Sequence, residues 1–176
     1  MDKFRKNVEL AANIAIVIVA VLLCAVLLKN QYANTTTQDF AGGPAGEVKT
    51  QGKINLPEVD WQKGEQTLLL VLSTNCHYCS ESTAFYQRLV KERGGNTRIV
   101  AALPQNLDES RDYLKKHGVL VDDVKQINPD SIGVSGTPTL ILVNNDGVVK
   151  DVWVGKLPKP HQAEVLRRVQ QSVARR

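Results

Sequence analysis

Apolar positions fall in two regimes along the chain. Leu10 to Leu28 is 19 residues without a formal charge. As a helix it would span about 28 Å, close to the core of a bilayer. After Val48 the apolar runs are much shorter and alternate with polar stretches of helical period. Gln66 to Leu72 is apolar nearly throughout, which predicts a strand covered on both faces. Glu81 to Glu92 has helical spacing, with Phe85 and Leu89 four apart. Arg98 to Leu103 is a second buried strand, ended by Pro104.

Leu107 to His117 reads as a helix, with Asp108 near its start, Lys115 and Lys116 near its end and Gly118 as its stop. A strand follows at Val124 to Ile127, then a turn at Asn128-Pro129-Asp130-Ser131. Leu140 to Val143 and Val148 to Val154 flank Asn144-Asn145-Asp146-Gly147, a hairpin signal. Pro160 suits the first turn of a last helix, whose Val165, Leu166, Val169 and Val173 share a face. Ile54 and Leu56 predict a short edge strand before Pro57, and Val59 and Trp61 a cover for one end of the core. The order predicts an α/β domain, a central sheet with helices on both faces.

The flanks of the long apolar run give it an orientation. Lys3, Arg5 and Lys6 precede it, and beyond Lys29 there is no basic residue until Lys49. The positive-inside bias therefore places residues 1–9 as a cytoplasmic tail, 10–28 as a transmembrane signal anchor, 29–52 as a flexible linker and 53–176 as an extracytoplasmic domain. A cleaved leader fits less well, because the run is long and no A-x-A site follows it. The formal charge of +4 is small and the basic residues are scattered, which argues against a nucleic-acid partner.

Three cysteines are present. Cys24 lies inside the apolar run and reads as a packing residue. Cys76-His77-Tyr78-Cys79 lies where the first buried strand gives way to a helix. A thiol there faces unpaired N–H groups and the positive end of the helix dipole, which favours the thiolate. Two intervening residues allow one turn to bring the sulfurs within bridging reach. Half a zinc site is the competing reading. Zinc needs about four ligands, no second C-x-x-C exists, and His77, His117 and His161 are the remaining candidates. No metal and no cofactor is expected.

The apolar strand ending in Cys76-x-x-Cys79, the later Gly136-Thr137-Pro138-Thr139 before a strand and an Asp146-Gly147 hairpin, and the extra helix and strand at about Leu107 to Ile127 together resemble the thioredoxin superfamily. More narrowly they resemble the membrane-anchored TlpA/ResA-type thiol–disulfide oxidoreductases of bacteria, over about Lys53 to Arg176. The resemblance implies a thioredoxin-like fold, a mixed sheet flanked by helices. It implies Cys76 as the reactive sulfur and Cys79 as the resolving one, with His77 and Tyr78 as the active-site dipeptide. It also implies a cis peptide bond at Thr137–Pro138, where the Thr137 backbone positions a substrate peptide. The implied partners are protein thiols or disulfides outside the cytoplasm and a membrane electron carrier. The direction of exchange stays open: a reductant, for example of the haem-site cysteines of apocytochrome c, or an oxidant.

Some positions depart from the resemblance. The buried acid of thioredoxin is Leu70 here, the TlpA/ResA glutamate is Ser82 with Glu81 one step away, the aromatic before the first cysteine is Asn75, and the helix proline is Ala84. Glu81 or water would then take the proton of Cys79. Two rivals share the fold. A peroxiredoxin-type peroxidase needs Thr and Pro where Ser73 and Leu69 stand. A Sco-type copper-binding protein uses C-x-x-x-C with a distant histidine, for which His161 would serve.

Overall fold

The computed structural model describes residues 50–171. The expected tail 1–9, the anchor 10–28 with Cys24, the linker up to residue 49, and Val173 lie outside the described residues. Among the described residues no helix is long and apolar enough to cross a membrane.

Five strands form one mixed sheet: β1 (Gln66–Val71), β2 (Thr97–Leu103), β3 (Asp123–Gln126), β4 (Thr139–Asn144) and β5 (Val149–Val154). Their order is β3-β2-β1-β4-β5. β1, β2 and β3 run parallel, while β4 is antiparallel to β1 and to β5. β1 sits at the centre, paired on both edges and buried at every position. That is why its sequence is a continuous apolar run rather than an alternation. The pleat still sorts its side chains. Leu68, Leu70 and Leu72 join one core with Ile99, Ala101, Leu103, Leu140 and Leu142. Leu69 and Val71 join the other with Val100, Ala102, Ile141 and Val143.

Parallel neighbours need crossover connections. The β1–β2 crossover holds α1 (His77–Glu81) and α2 (Thr83–Glu92), and the β2–β3 crossover holds α3 (Leu107–Lys116). α4 (Lys159–Gln170) closes the domain. Phe85, Leu89, Leu114, Val165, Leu166 and Val169 all enter the core that contains Leu68 and Leu70. Both parallel crossovers step the same way across the sheet, and right-handed connections then put their helices on one face. The expected helices on both faces are therefore present unequally. Among the described residues the opposite face carries short 3-10 helices, at Trp61–Lys63 and Pro129–Ile132, with Ile54, Leu56 and Val59 in the same core.

Three local expectations change. The helix expected to begin at the cysteines and to continue over Glu81 to Glu92 does start at His77, capped by Cys76, but it breaks at Ser82. The Ser82 hydroxyl donates to the Tyr78 carbonyl at 2.7 Å, a side-chain bond that competes with a regular ladder. The edge strand expected at Ile54 and Leu56 is reduced to one bridge between Lys53 and Val148. Both Ile54 and Leu56 are buried in the same core, so the segment serves as a cover. The turn at residues 128–131 is instead the 3-10 helix Pro129–Ile132, capped by the Asn128 side chain on Asp130 N–H.

The β4–β5 hairpin forms as expected. The Asn144 side-chain oxygen accepts from Asp146 N–H at 3.1 Å and Val148 N–H at 2.8 Å. Gly147 has φ +80°, and a Cβ there would lie 3.2 Å from the Trp61 ring. At this same end of the sheet, where Gln66 pairs with Asn144, buried Gln66 reaches Thr97 Oγ1 at 2.8 Å and the carbonyls of Arg168 and Gln171 at 3.1 Å. Thr97 Oγ1 donates to Val169 O at 2.6 Å. These bonds satisfy carbonyls that the end of α4 would otherwise leave unpaired.

Candidate active site

The site lies beyond the C-terminal end of β1, where the chain leaves the sheet. Leu72 N–H still bonds Ala102 O at 3.0 Å, and the next three residues form a short loop. Gln105, from the loop after β2, pins it. Its amide nitrogen donates to Ser73 Oγ at 3.1 Å, and its oxygen accepts from Thr74 N–H at 3.3 Å. Thr74 Oγ1 donates to Glu109 at 2.8 Å. Cys76 N–H closes the turn onto Ser73 O at 3.1 Å. Gln105, Thr74 and Glu109 carried no signal in the sequence, because each acts across about thirty residues of chain.

Cys76 is the N-cap of α1, with extended backbone, and its sulfur accepts from Cys79 N–H at 3.1 Å. The sulfur thus occupies the place where a capping serine or aspartate oxygen usually sits. The two cysteines form a disulfide, their Cα atoms 5.2 Å apart. The partners are unequal. Cys79 is 1% exposed, and Cys76 is only partly covered. Cys76 is the sulfur an incoming group reaches. His77 and Tyr78 face solvent, Tyr78 at 56% exposure.

The Thr137–Pro138 bond is cis, as the resemblance implies. Thr137 O lies 3.2 Å from Cys76 Sγ. Pro138 O accepts from Gly155 N–H at 2.7 Å, which ties the segment before β4 to the end of β5. All six residues anticipated from the sequence therefore cluster at one end of the sheet.

Glu81, considered for the proton of Cys79, has other partners. One of its carboxylate oxygens receives Lys156 Nζ at 3.0 Å and the other lies 3.3 Å from His77 Nε2. The bond from Lys156 holds its carboxyl below the ordinary value, with His77 adding to the effect. Leu70, at the position of the thioredoxin acid, is fully buried in the sheet. Burial pushes the phenol of Tyr86, in the same core, well above its usual range, so it stays protonated. Among the described residues no group of three or more His, Cys, Asp or Glu is placed to hold a metal, and His161 stands exposed on α4.

A family model for the thioredoxin-like domain matches residues 61–170. The chain belongs to the thioredoxin-like family. No curated protein matches its sequence. Among solved structures, StoA from Bacillus subtilis is 17% identical, with a TM-score of 0.50 over 60% of this chain and 82% of that one. A thiol:disulfide interchange protein from Chlorobium tepidum TLS is 16% identical, with a TM-score of 0.52 over 74% and 99%. A thiol-disulfide isomerase from Corynebacterium glutamicum is 14% identical, with a TM-score of 0.51 over 73% and 96%. At such identities the likeness is one of fold. This thioredoxin-like chain carries the CxxC disulfide of the family's thiol–disulfide oxidoreductases.

Proposed function

We propose that the protein is a membrane-tethered thiol–disulfide oxidoreductase of the TlpA/ResA type that exchanges disulfides with proteins outside the cytoplasm. The observation that carries this is the unequal pair: a buried Cys79 bridged to a reachable Cys76 that caps α1 and faces Thr137. In the reduced protein the Cys76 thiolate attacks a substrate disulfide. A Cys76–substrate disulfide forms and the other substrate sulfur leaves as a thiolate. Cys79 then attacks Cys76 Sγ, the Cys76–Cys79 bond forms and the substrate thiol departs. Run backwards, the same steps oxidise a substrate dithiol. Helix-end N–H groups favour the Cys76 thiolate in either direction. Thr137 and Pro138 present the backbone along which the substrate peptide lies.

Residues 10–28 serve as a single-pass anchor with residues 1–9 cytoplasmic. Residues 29–52 act as the linker, and residues 53–176 as the catalytic domain on the outer side. The charge asymmetry of Lys3, Arg5 and Lys6 supports that orientation. The electron partner is a membrane thiol carrier, and the haem-site cysteines of apocytochrome c are one fitting substrate.

The deciding experiment titrates the Cys76–Cys79 pair of the full chain against glutathione or thioredoxin. A potential near about −270 mV assigns a reductant, and one near about −120 mV an oxidant. Absence of any reversible disulfide refutes the proposal.

A further inference from the structure

Glu81 takes part in a closed ring of contacts around the reactive sulfur. Cys76 Sγ lies 3.2 Å from Thr137 O. Thr137 is bonded to Pro138, whose carbonyl accepts from Gly155 N–H at 2.7 Å. Gly155 precedes Lys156, whose Nζ reaches Glu81 Oε2 at 3.0 Å. Glu81 Oε1 lies 3.3 Å from His77 Nε2, and His77 follows Cys76. The proline segment, the end of β5, the cysteine helix and the reactive cysteine are thus joined through one carboxylate.

The spacing and the charges give this carboxylate a task. His77 and Glu81 are four residues apart and share a face of α1. The charged groups that face Glu81 are Lys156, from the segment after β5, and His77 on its own helix. Lys156 and Glu81 offset each other, so a protonated His77 leaves the trio with one net positive charge beside the attacking residue. Glu81 also fixes which ring nitrogen is engaged, since a contact at Nε2 orients the imidazole.

The geometry points to Glu81 as a positioning residue for thiol–disulfide exchange: anchored by Lys156, it holds the side chain of His77, the residue that follows Cys76, so that a charged ring there favours the Cys76 thiolate. This rests on the function proposed above and names a regulator of the same site. The Cys76 proton leaves to solvent. The sulfur's electron pair is the one that later forms the mixed disulfide, and no further redox partner is involved.

The sign of one substitution separates this role from simple charge removal. Deleting a negative charge near Cys76 by itself stabilises the thiolate. If Glu81 acts by holding a cationic His77, Glu81→Gln has the opposite effect. The test measures alkylation of Cys76 by iodoacetamide in the reduced full chain, between pH 5 and 9, with the label resolved by peptide mass spectrometry. Glu81→Gln is expected to slow Cys76 alkylation near pH 6 by about two- to fivefold, the scale of one exposed ion pair, and to move its midpoint upward. In a His77→Gln background the same change is expected to cause no slowing. An unchanged or faster rate in the single variant overturns the proposal, as does slowing that persists without His77. Alkylation needs no substrate disulfide, so a protein that reversibly forms no disulfide refutes the proposed function while leaving this readout intact.

Discussion

Cys76 Sγ and the Thr137 carbonyl oxygen lie 3.2 Å apart although 61 residues separate them in the chain. The contact joins the two motifs of the site. The neighbouring Cys79 is buried in the core with Leu68 and Phe85. The unequal exposure gives the two cysteines distinct mutant phenotypes. Cys76→Ser is expected to bring insulin reduction down to the rate of the buffer thiol alone. Cys79→Ser keeps the attacking sulfur and is expected to accumulate a mixed disulfide at Cys76, visible by non-reducing electrophoresis and mass spectrometry.

Tyr78 stands 56% exposed beside the sulfur. Its exposure leaves it open to a docking partner, and it contributes little to the core. Tyr78→Ala is therefore expected to raise KM for a folded protein disulfide while leaving the rate with a small aromatic disulfide nearly unchanged. Unfolding by urea should show a stability change within about 0.5 kcal/mol.

Gln105 holds the loop before Cys76 through Ser73 and Thr74. Gln105→Ala removes both bonds, at a cost of about 1–2 kcal/mol in unfolding free energy. Because the loop sets the position of Cys76, exchange should also slow. Stopped-flow fluorescence of the reduced protein with a disulfide substrate reads this directly.

Gln66 is buried and reaches Thr97 and two carbonyls at the end of α4. Gln66→Leu keeps the volume and strands those acceptors. The expected loss is about 1–3 kcal/mol in urea unfolding, with exchange kinetics unaffected at temperatures where the protein stays folded.

Asp122 gives a pH signature. Burial opposes its ionisation, but hydrogen bonds from Arg93 and the Ile99 N–H outweigh it and hold the carboxyl below its ordinary value. A folded pKa below the unfolded one gives stability that is complete above the unfolded value, about 3.9, and is lost as pH falls through the folded value. Asp122→Asn is expected to lower stability by about 1 kcal/mol at pH 7. The difference from wild type should shrink as pH drops below about 4. Guanidinium unfolding at pH 7 and pH 3 checks both.

The readable parts of this fold are those with a local period or a steric demand. Leu68 to Leu72 declared a central strand because full burial leaves no polar alternation, and Asn144 to Gly147 declared a hairpin because its backbone needs a glycine. The helix start at Cys76 was readable from the cysteine pair after the strand, but α1 as a separate helix was not, because only Cys79 among its five residues is buried and it has no apolar stripe. The break at Ser82 has no proline to announce it and rests on one hydroxyl. Among the described residues the long helices share one face, a result of crossover geometry that no single segment encodes. In the site, the cysteines and the cis-proline segment carry recognisable motifs. Gln105 on Ser73 and Lys156 on Glu81 do not, since those partners lie 32 and 75 residues apart.

The covered second cysteine has a kinetic consequence. With Cys79 1% exposed, the Cys76–Cys79 pair offers visitors a single doorway. Whatever delivers electrons and whatever receives them must call at the same sulfur, one after the other. Two such visitors cannot be accommodated together, so turnover follows a ping-pong pattern. Each partner then acts as a competitive inhibitor of the other, and an excess of either one idles the cycle by occupying the doorway in the wrong half of it.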